Sequence, residues 1–441
     1  MWICEKFACV DLVIKEVKMS AGQMKGKTCY TEEWKRSNPD FAVYLPGAAI
    51  GRDTDNVHFL VIETPGGDLL GSWTQATYEA ADNSCVVCAR STDGGATWSE
   101  PMEMDGPNEA RYHTAYYAFP VVSRSGRIYY FYVKHLGIVD VARNITGIMR
   151  CRYSDDDGHT WAPPVEIPFK RREHIDSPDT SIPPNWVAYV KPVRDSKGRW
   201  IEPFSHWTSL AHPQTANCHI EMMRFENMDE GPDPKDIEIT WLPGKPMKPV
   251  SDFTLTGLME PCIVLLPDKR LFMTLRTGTG CIWYSVSEDD GATWRDAEPL
   301  RYQDGGERVL HPESPCPIYA LQDGRFLLQY HNNDGSGSIG SMPLWTAPYF
   351  FSRRSLFLAV GEFRPKSHQP IWFTRPKRLA DSDGVSAGVQ YRTEMGTYGS
   401  LTEQGGKRIL WYPDRKHFLL GKIISDELLE SCGEVPGAYA H

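Results

Sequence analysis

The chain has no basic excess: 47 lysines and arginines stand against 57 aspartates and glutamates, a formal charge of −10. Nucleic acid and anionic membrane surfaces both require a basic face, so neither is expected as a partner. No uninterrupted apolar run reaches membrane-spanning length, so no insertion by a helix is expected. Glu5, Lys6, Asp11 and Lys15 break up the stretch Met1 to Met19. No secretory apolar region is read there, and a cytoplasmic location is expected. Eleven cysteines form an odd set without framework spacing, which argues against a disulfide-stapled module. Cys85 and Cys88 are the one close pair. Three residues apart in a strand-like run, they point to opposite faces, so they are expected as buried thiols and not as metal ligands. No metal and no cofactor is expected, and long helical periodicity is missing as well.

What is present is a long, aromatic-rich chain. Its 441 residues are 41% hydrophobic and 24% charged, the balance of a soluble globular protein with ample core. Aromatic residues reach 12%, with 14 Trp, which suits strands and also platforms for sugar rings.

Three segments repeat. Ser91 to Trp98, Ser154 to Trp161 and Ser287 to Trp294 each read S-x-D-x-G-x-T-W, after the β-rich runs CVVCAR, IMRCRY and CIWYSV. Asp and Gly suit a tight turn, the carboxylate accepting backbone N–H groups and Gly taking positive φ. The second copy follows the first by 63 residues and the third follows the second by 133. That is one period of about 65 residues with one silent copy, which over the ~400 residues beyond an N-terminal extension gives about six units. Six hairpin turns recur in phase: ETPGGDLLGSW, SRSGRIYYFYV, RDSKGRWIEPF, LPDKRLFMTL, LQDGRFLLQY and GGKRILWYP. Each leads a turn into an apolar strand. The expected fold is all-β, a six-bladed β-propeller, with seven blades left open. Residues 1–40 are read as an extension, 41–430 as the propeller and 431–441 as a tail.

These turns resemble the Asp boxes of the sialidase (neuraminidase) superfamily over roughly residues 55–430. The resemblance implies a glycosidase whose tyrosine nucleophile is activated by a glutamate, with an aspartate as acid/base and three arginines holding the substrate carboxylate. A neutral phenol avoids the repulsion that a carboxylate nucleophile would meet beside an anionic sugar. Glu260 to Arg276 resembles the family's Glu…LPDGRL…R stretch, making Glu260 the base and Arg276 a binding arginine. Arg353-Arg354-Ser-Leu-Phe-Leu is similar to the second arginine's setting, with Arg354 favoured. Thr397-Tyr398-Gly-Ser-Leu401 resembles the nucleophile's setting, and Asp82, ahead of the first box, stands where the acid/base lies. One position departs: Val57-His58-Phe59 occupies the place of the family's first arginine, and a neutral imidazole lacks the charged fork of a carboxylate clamp.

Four further histidines fall at strand starts or ends: His113, His135, His311 and His331. With His58 they suggest pH-poised imidazoles near one channel. His113, His135, Tyr116 and Arg111 have the chemistry of a lyase that eliminates across a uronate, so elimination stands beside hydrolysis as an alternative, and a non-catalytic glycan-binding propeller beside both. An exo-acting glycoside hydrolase for an acidic or otherwise unusual sugar is the preferred expectation, with a glycan as partner. Phe363 to Trp372 replaces an Asp box and is read as a rim or packing loop. Asn332 to Gly335 is read as a turn, Trp186 as core, and Asp155-Asp156-Asp157 as a solvated turn.

Overall fold

A computed structural model describes residues 29–107, 113–212, 218–247, 257–336 and 352–437. They form six antiparallel sheets of four or five strands, each built mainly from consecutive segments: a six-bladed propeller. The six hairpins read from the sequence are the six inner hairpins, one per blade. Inner strand Asp55–Glu63 turns into Leu69–Ala76 in blade one, and Ala115–Val122 into Ile128–Lys134 in blade two. Val193–Arg194 turns into Trp200–Trp207 in blade three, where Asn185–Val187 also pairs with the second strand. Met259–Leu265 leads to Leu271–Arg276 in blade four, Ile318–Ala320 to Phe326–Tyr330 in blade five, and Ser400–Gln404 to Lys407–Asp414 in blade six.

The ring closes through the N-terminal side of the chain. Phe41–Tyr44 pairs with Phe418–Ile423 and becomes the outermost strand of blade six. Second strands are covered on both faces by neighbouring blades, so they read as continuous apolar runs and not as alternation. All seven residues of Ile128–Lys134 are buried.

The Asp boxes sit after the third strands of blades one, two and four; blade three is the silent copy. In the first, Asp93 accepts from Ser91 Oγ at 2.8 Å, Thr97 N at 2.9 Å and Thr97 Oγ1 at 2.6 Å. Asp156 and Asp289 repeat the pattern. Trp98 lies edge-on to Trp411 of blade six at 5.5 Å. Gly95 has φ 95°, and a Cβ there would stand 2.4 Å from Trp411, so the box needs glycine for both conformation and space.

Two expectations are sharpened. In the acidic run 155–157, Asp155 and Asp156 are exposed as expected of a solvated turn, but Asp157 is half-buried. Asp157 accepts from Thr64 Oγ1 and Gly66 N, both at 2.8 Å, and pairs with Arg90. It staples the second box to the blade-one hairpin. The segment Phe363 to Trp372 occupies an Asp-box position in blade five, and Gln369 bonds Arg301 N, Arg301 O and Ile371 O; it is a packing loop. Trp186 is core, as read, and no helix among the described residues is long and apolar enough to cross a membrane.

Asp157→Ala is expected to lower the unfolding free energy by about 1–3 kcal/mol, the scale of hydrogen bonds to a charged group. It should appear as a lower urea midpoint at unchanged slope; an unmoved midpoint would show that the staple carries no stability.

Candidate active site

The starts of the inner strands and the ends of the second strands meet at one end of the central channel. There the inner strands break their own alternation. The ladders slip between Val57 and Leu60, between Tyr116 and Phe119, and between Met259 and Cys262. At each slip one residue has left-handed backbone: His58 at φ 59°, Tyr117 at 54° and Glu260 at 48°. Tyr398, just ahead of the blade-six inner strand, has φ 64°. A bulge of this kind turns one side chain out of the pleat; here three bulges, with the left-handed backbone at Tyr398, gather four side chains at the channel end. Hydroxyls of the preceding blades hold two of them: Thr74 Oγ1 accepts from Tyr117 N at 3.1 Å, and Ser205 Oγ from Glu260 N at 2.7 Å.

The result is a compact constellation. Tyr398 Oη donates to Glu260 Oε1 at 2.8 Å. Arg276 Nη1 donates to Glu260 Oε2 at 2.7 Å and lies 3.5 Å from the phenol oxygen. Burial and the neighbouring Glu260 charge hold the Tyr398 phenol well above its usual range, so it rests protonated. Tyr189 meets the Tyr398 ring edge-on at 5.1 Å and donates to the Glu260 carbonyl. His58 packs on the Tyr398 ring at 4.7 Å and on Tyr117 at 4.3 Å.

Of the two adjacent arginines, Arg353 and not Arg354 reaches this cluster. Arg354 is held by Asp381, its Nε 3.0 Å from Oδ1, on the outer part of blade five. Arg353 is buried, donates to Glu394 Oε2 at 3.1 Å and to the Glu313 carbonyl, and its charge is felt by Tyr398. Asp82 is exposed at the tip of the loop between the second and third strands of blade one, beside Tyr116. The carboxylate of that loop that faces the cluster is Glu79. It pairs with Arg392 and with Lys416 Nζ at 3.2 Å, and these cations hold it low against the cost of burial. Lys416 Nζ lies 5.3 Å over the Tyr398 ring. Glu394 accepts from Arg392 at 2.7 Å and lies 3.7 Å from Lys416. Glu79, Arg392, Glu394 and Lys416 were missed in the sequence; a charged residue just past an otherwise apolar strand, as Lys416 is, was the one available cue.

The histidines do not form a pH-poised set. Burial, reinforced by the Lys416 charge, lowers His58 to about 3, and its Nδ1 lies 3.3 Å from Thr74 Oγ1. His58 is therefore a wall behind Tyr398, not a titrating contact. Burial lowers His331 to about 4 and moves His135 and His311 below the usual imidazole range. His135 bonds the Thr146 carbonyl at 2.9 Å, His311 that of Ser314 and His331 that of Ser355, both at 2.8 Å. These are structural places. His113 is half-buried next to His135, and Tyr116 is buried with Oη on the Ala81 carbonyl at 3.3 Å. Arg111 lies outside the described residues. His206 was not singled out: it lies 3.0 Å from Asp176 and 3.7 Å from Glu221, and these carboxylates outweigh its burial and raise it to about 9. Asn144 donates to Tyr117 Oη at 2.9 Å. Among the described residues no group of three His, Cys, Asp or Glu is arranged to hold a metal, and Cys85 and Cys88 are buried free thiols.

Comparison with solved structures finds the same fold. A Hadza microbial sialidase superposes with a TM-score of 0.58 at 14% identity, covering 85% of this chain and 66% of that one. The NanB sialidase of Streptococcus pneumoniae gives 0.58 at 14% identity, covering 88% and 71%. A protein of unknown function from Dyadobacter fermentans gives 0.57 at 13% identity, covering 87% and 97%. At these identities the likeness is one of fold, and the chain spans about two thirds of the sialidases' length. No curated protein sequence matches. The family model for the BNR repeat-like domain matches residues 67–413. With three Asp boxes on a six-bladed ring, the chain belongs to the BNR repeat-like family of sialidase-like propellers.

Proposed function

We propose that this protein is an exo-acting glycoside hydrolase in which Tyr398 is the nucleophile and Glu260 its base. The observation that carries the reading is the 2.8 Å hydrogen bond from the Tyr398 phenol to Glu260, with Arg276 beside both. A phenol is a poor nucleophile until its proton has somewhere to go. As the phenol oxygen bonds to the anomeric carbon, its proton passes to Glu260 Oε1 and the glycosidic C–O bond breaks. Arg276 Nη1 then stabilises charge on the phenol oxygen. The leaving oxygen takes a proton from the loop at 77–84, and we assign that role to Asp82, which is exposed at its tip. Glu79, ion-paired to Arg392 and Lys416, positions Lys416 over the Tyr398 ring. Water then attacks the anomeric carbon and gives a proton to Asp82, while the bond to Tyr398 breaks and Glu260 returns its proton to the phenol oxygen.

A glycan substrate is supported by the neighbouring folds, two of which are named sialidases. With His58 in place of an arginine, the sugar differs from the one a three-arginine clamp takes. Elimination has less to draw on, because His135 is turned to the Thr146 carbonyl.

Tyr398→Phe and Glu260→Gln are each expected to lower kcat by about 10²–10⁴-fold, the range for removing a positioned proton acceptor or nucleophile. Asp82→Asn should cost most with sugar leaving groups and least with nitrophenyl ones, which leave without a proton. Steady-state kinetics on a glycoside panel reads this out; full turnover by Tyr398→Phe removes the assignment.

The pH profile of kcat/KM should carry no limb from His58. Its folded value near 3 leaves the imidazole neutral at every pH above about 5, so His58→Asn should leave the shape of the profile unchanged between pH 5 and 9. Asn also tolerates the left-handed backbone there. A limb near neutral pH that vanishes in this variant would contradict the account.

A further inference from the structure

We propose that the sugar bound at Tyr398 is uncharged, and that the site discriminates against a carboxylate at the reacting residue; this rests on the glycosidase reading above. The argument starts from where the cations of the site are already committed. Arg276 sits 2.7 Å from Glu260 and 3.6 Å from Glu313. Arg353 sits 3.1 Å from Glu394. Arg392 joins Glu394 at 2.7 Å and Glu79. Lys416 joins Glu79 at 3.2 Å and Glu394 at 3.7 Å. Among the described residues, four cations around Tyr398 thus meet four carboxylates. Asp55, buried nearby, brings a further carboxyl within reach of Arg392, Lys416, Glu79 and Glu394.

A substrate carboxylate entering this site brings a further anion. It must share Arg353 or Lys416 with Glu394, which is completely buried, or draw them away and leave that carboxylate unpaired. Breaking one side of a buried ion network is among the costliest changes a protein can suffer. A carboxylate clamp works the other way, offering guanidinium forks whose charge is not already neutralised.

The second observation is the aromatic packing around Tyr398. Where the resembling family has its first arginine, this chain has His58, buried and layered between Tyr117 at 4.3 Å and Tyr398 at 4.7 Å, with Tyr189 edge-on to Tyr398 at 5.1 Å. Aromatic rings beside hydrogen-bonding ion pairs suit a neutral sugar, with one apolar C–H face and a rim of hydroxyls. The hydroxyls can accept from Arg276 or Arg353 and donate to Glu313 or Glu260 without changing the charge of the site. The chain's formal charge of −10 also steers no anion toward it. The acidic or otherwise unusual sugar expected from the sequence is narrowed in this proposal to an uncharged one.

The test uses the full chain and matched aryl glycosides, both anomers of glucoside against glucuronide and galactoside against galacturonide, with an aryl sialoside added. Binding to a glycan array of neutral and acidic termini runs in parallel. At least one neutral glycoside is expected to exceed its uronide in kcat/KM by about tenfold or more, with little dependence on salt. Glu394→Gln, which relieves Arg353 and Lys416 of a carboxylate, should narrow that ratio. Preference for a uronide or sialoside, cleaved through Tyr398 and slowed by salt, overturns the inference and leaves the hydrolase reading intact. Selective binding of neutral termini without cleavage does the reverse. Neither binding nor cleavage in either series overturns both.

Discussion

The side-chain cluster at the channel end exists because the inner strands stop being regular strands there. His58, Tyr117, Glu260 and Tyr398 all take left-handed backbone that non-glycine residues avoid, at a cost of order 1–3 kcal/mol each. The flanking strands hold them in place. Ladder pairing resumes within three residues of each slip, and hydroxyls from preceding blades catch the displaced N–H groups. The same arrangement turns the phenol of blade six onto the carboxylate of blade four. Blade packing and site geometry are therefore one constraint: loosening a blade interface opens the Tyr398–Glu260 hydrogen bond.

Around that hydrogen bond the charges are buried and interlocked. Arg353, Arg392, Lys416, Glu79 and Glu394 come from four separate loops and neutralise one another. Such a network fixes side-chain positions at the expense of intrinsic stability. Burial sets the protonation of the network's neighbours: with Glu260 beside it the phenol stays protonated, and with Lys416 beside it the His58 imidazole stays neutral. The site is thus prepared for a proton transfer from phenol to Glu260, not for chemistry by imidazole.

The architecture was legible because it is local and repeated. An Asp box needs only its own eight residues, and each inner hairpin announces itself by a turn and an apolar strand, so six blades could be counted from spacing. Tyr398, Glu260 and Arg276 were legible through segments resembling a known family, and the structure brings these three together. Arg353 and Arg354 were not separable, since neighbours in an extended segment point opposite ways and the strand Ser355–Phe363 begins only after them, leaving no alternation to count. The ion network was invisible because its members lie more than 300 residues apart in sequence, from Glu79 to Arg392 and Lys416. The histidines misled for a different reason. Composition shows an imidazole but not its depth, and depth is what takes His58 and His331 out of the physiological titration range.

The central claim is that Tyr398 forms the bond to the sugar. The direct measurement is mass spectrometry of peptides from the wild-type chain after reaction with a slow, fluorinated aryl glycoside of a sugar it cleaves, chosen so that the glycosyl-enzyme accumulates. The account predicts a single glycosyl adduct on the peptide carrying Tyr398, lost when Glu260 is replaced by Gln. An adduct on another residue, or an unsaturated sugar product with no adduct, would contradict it.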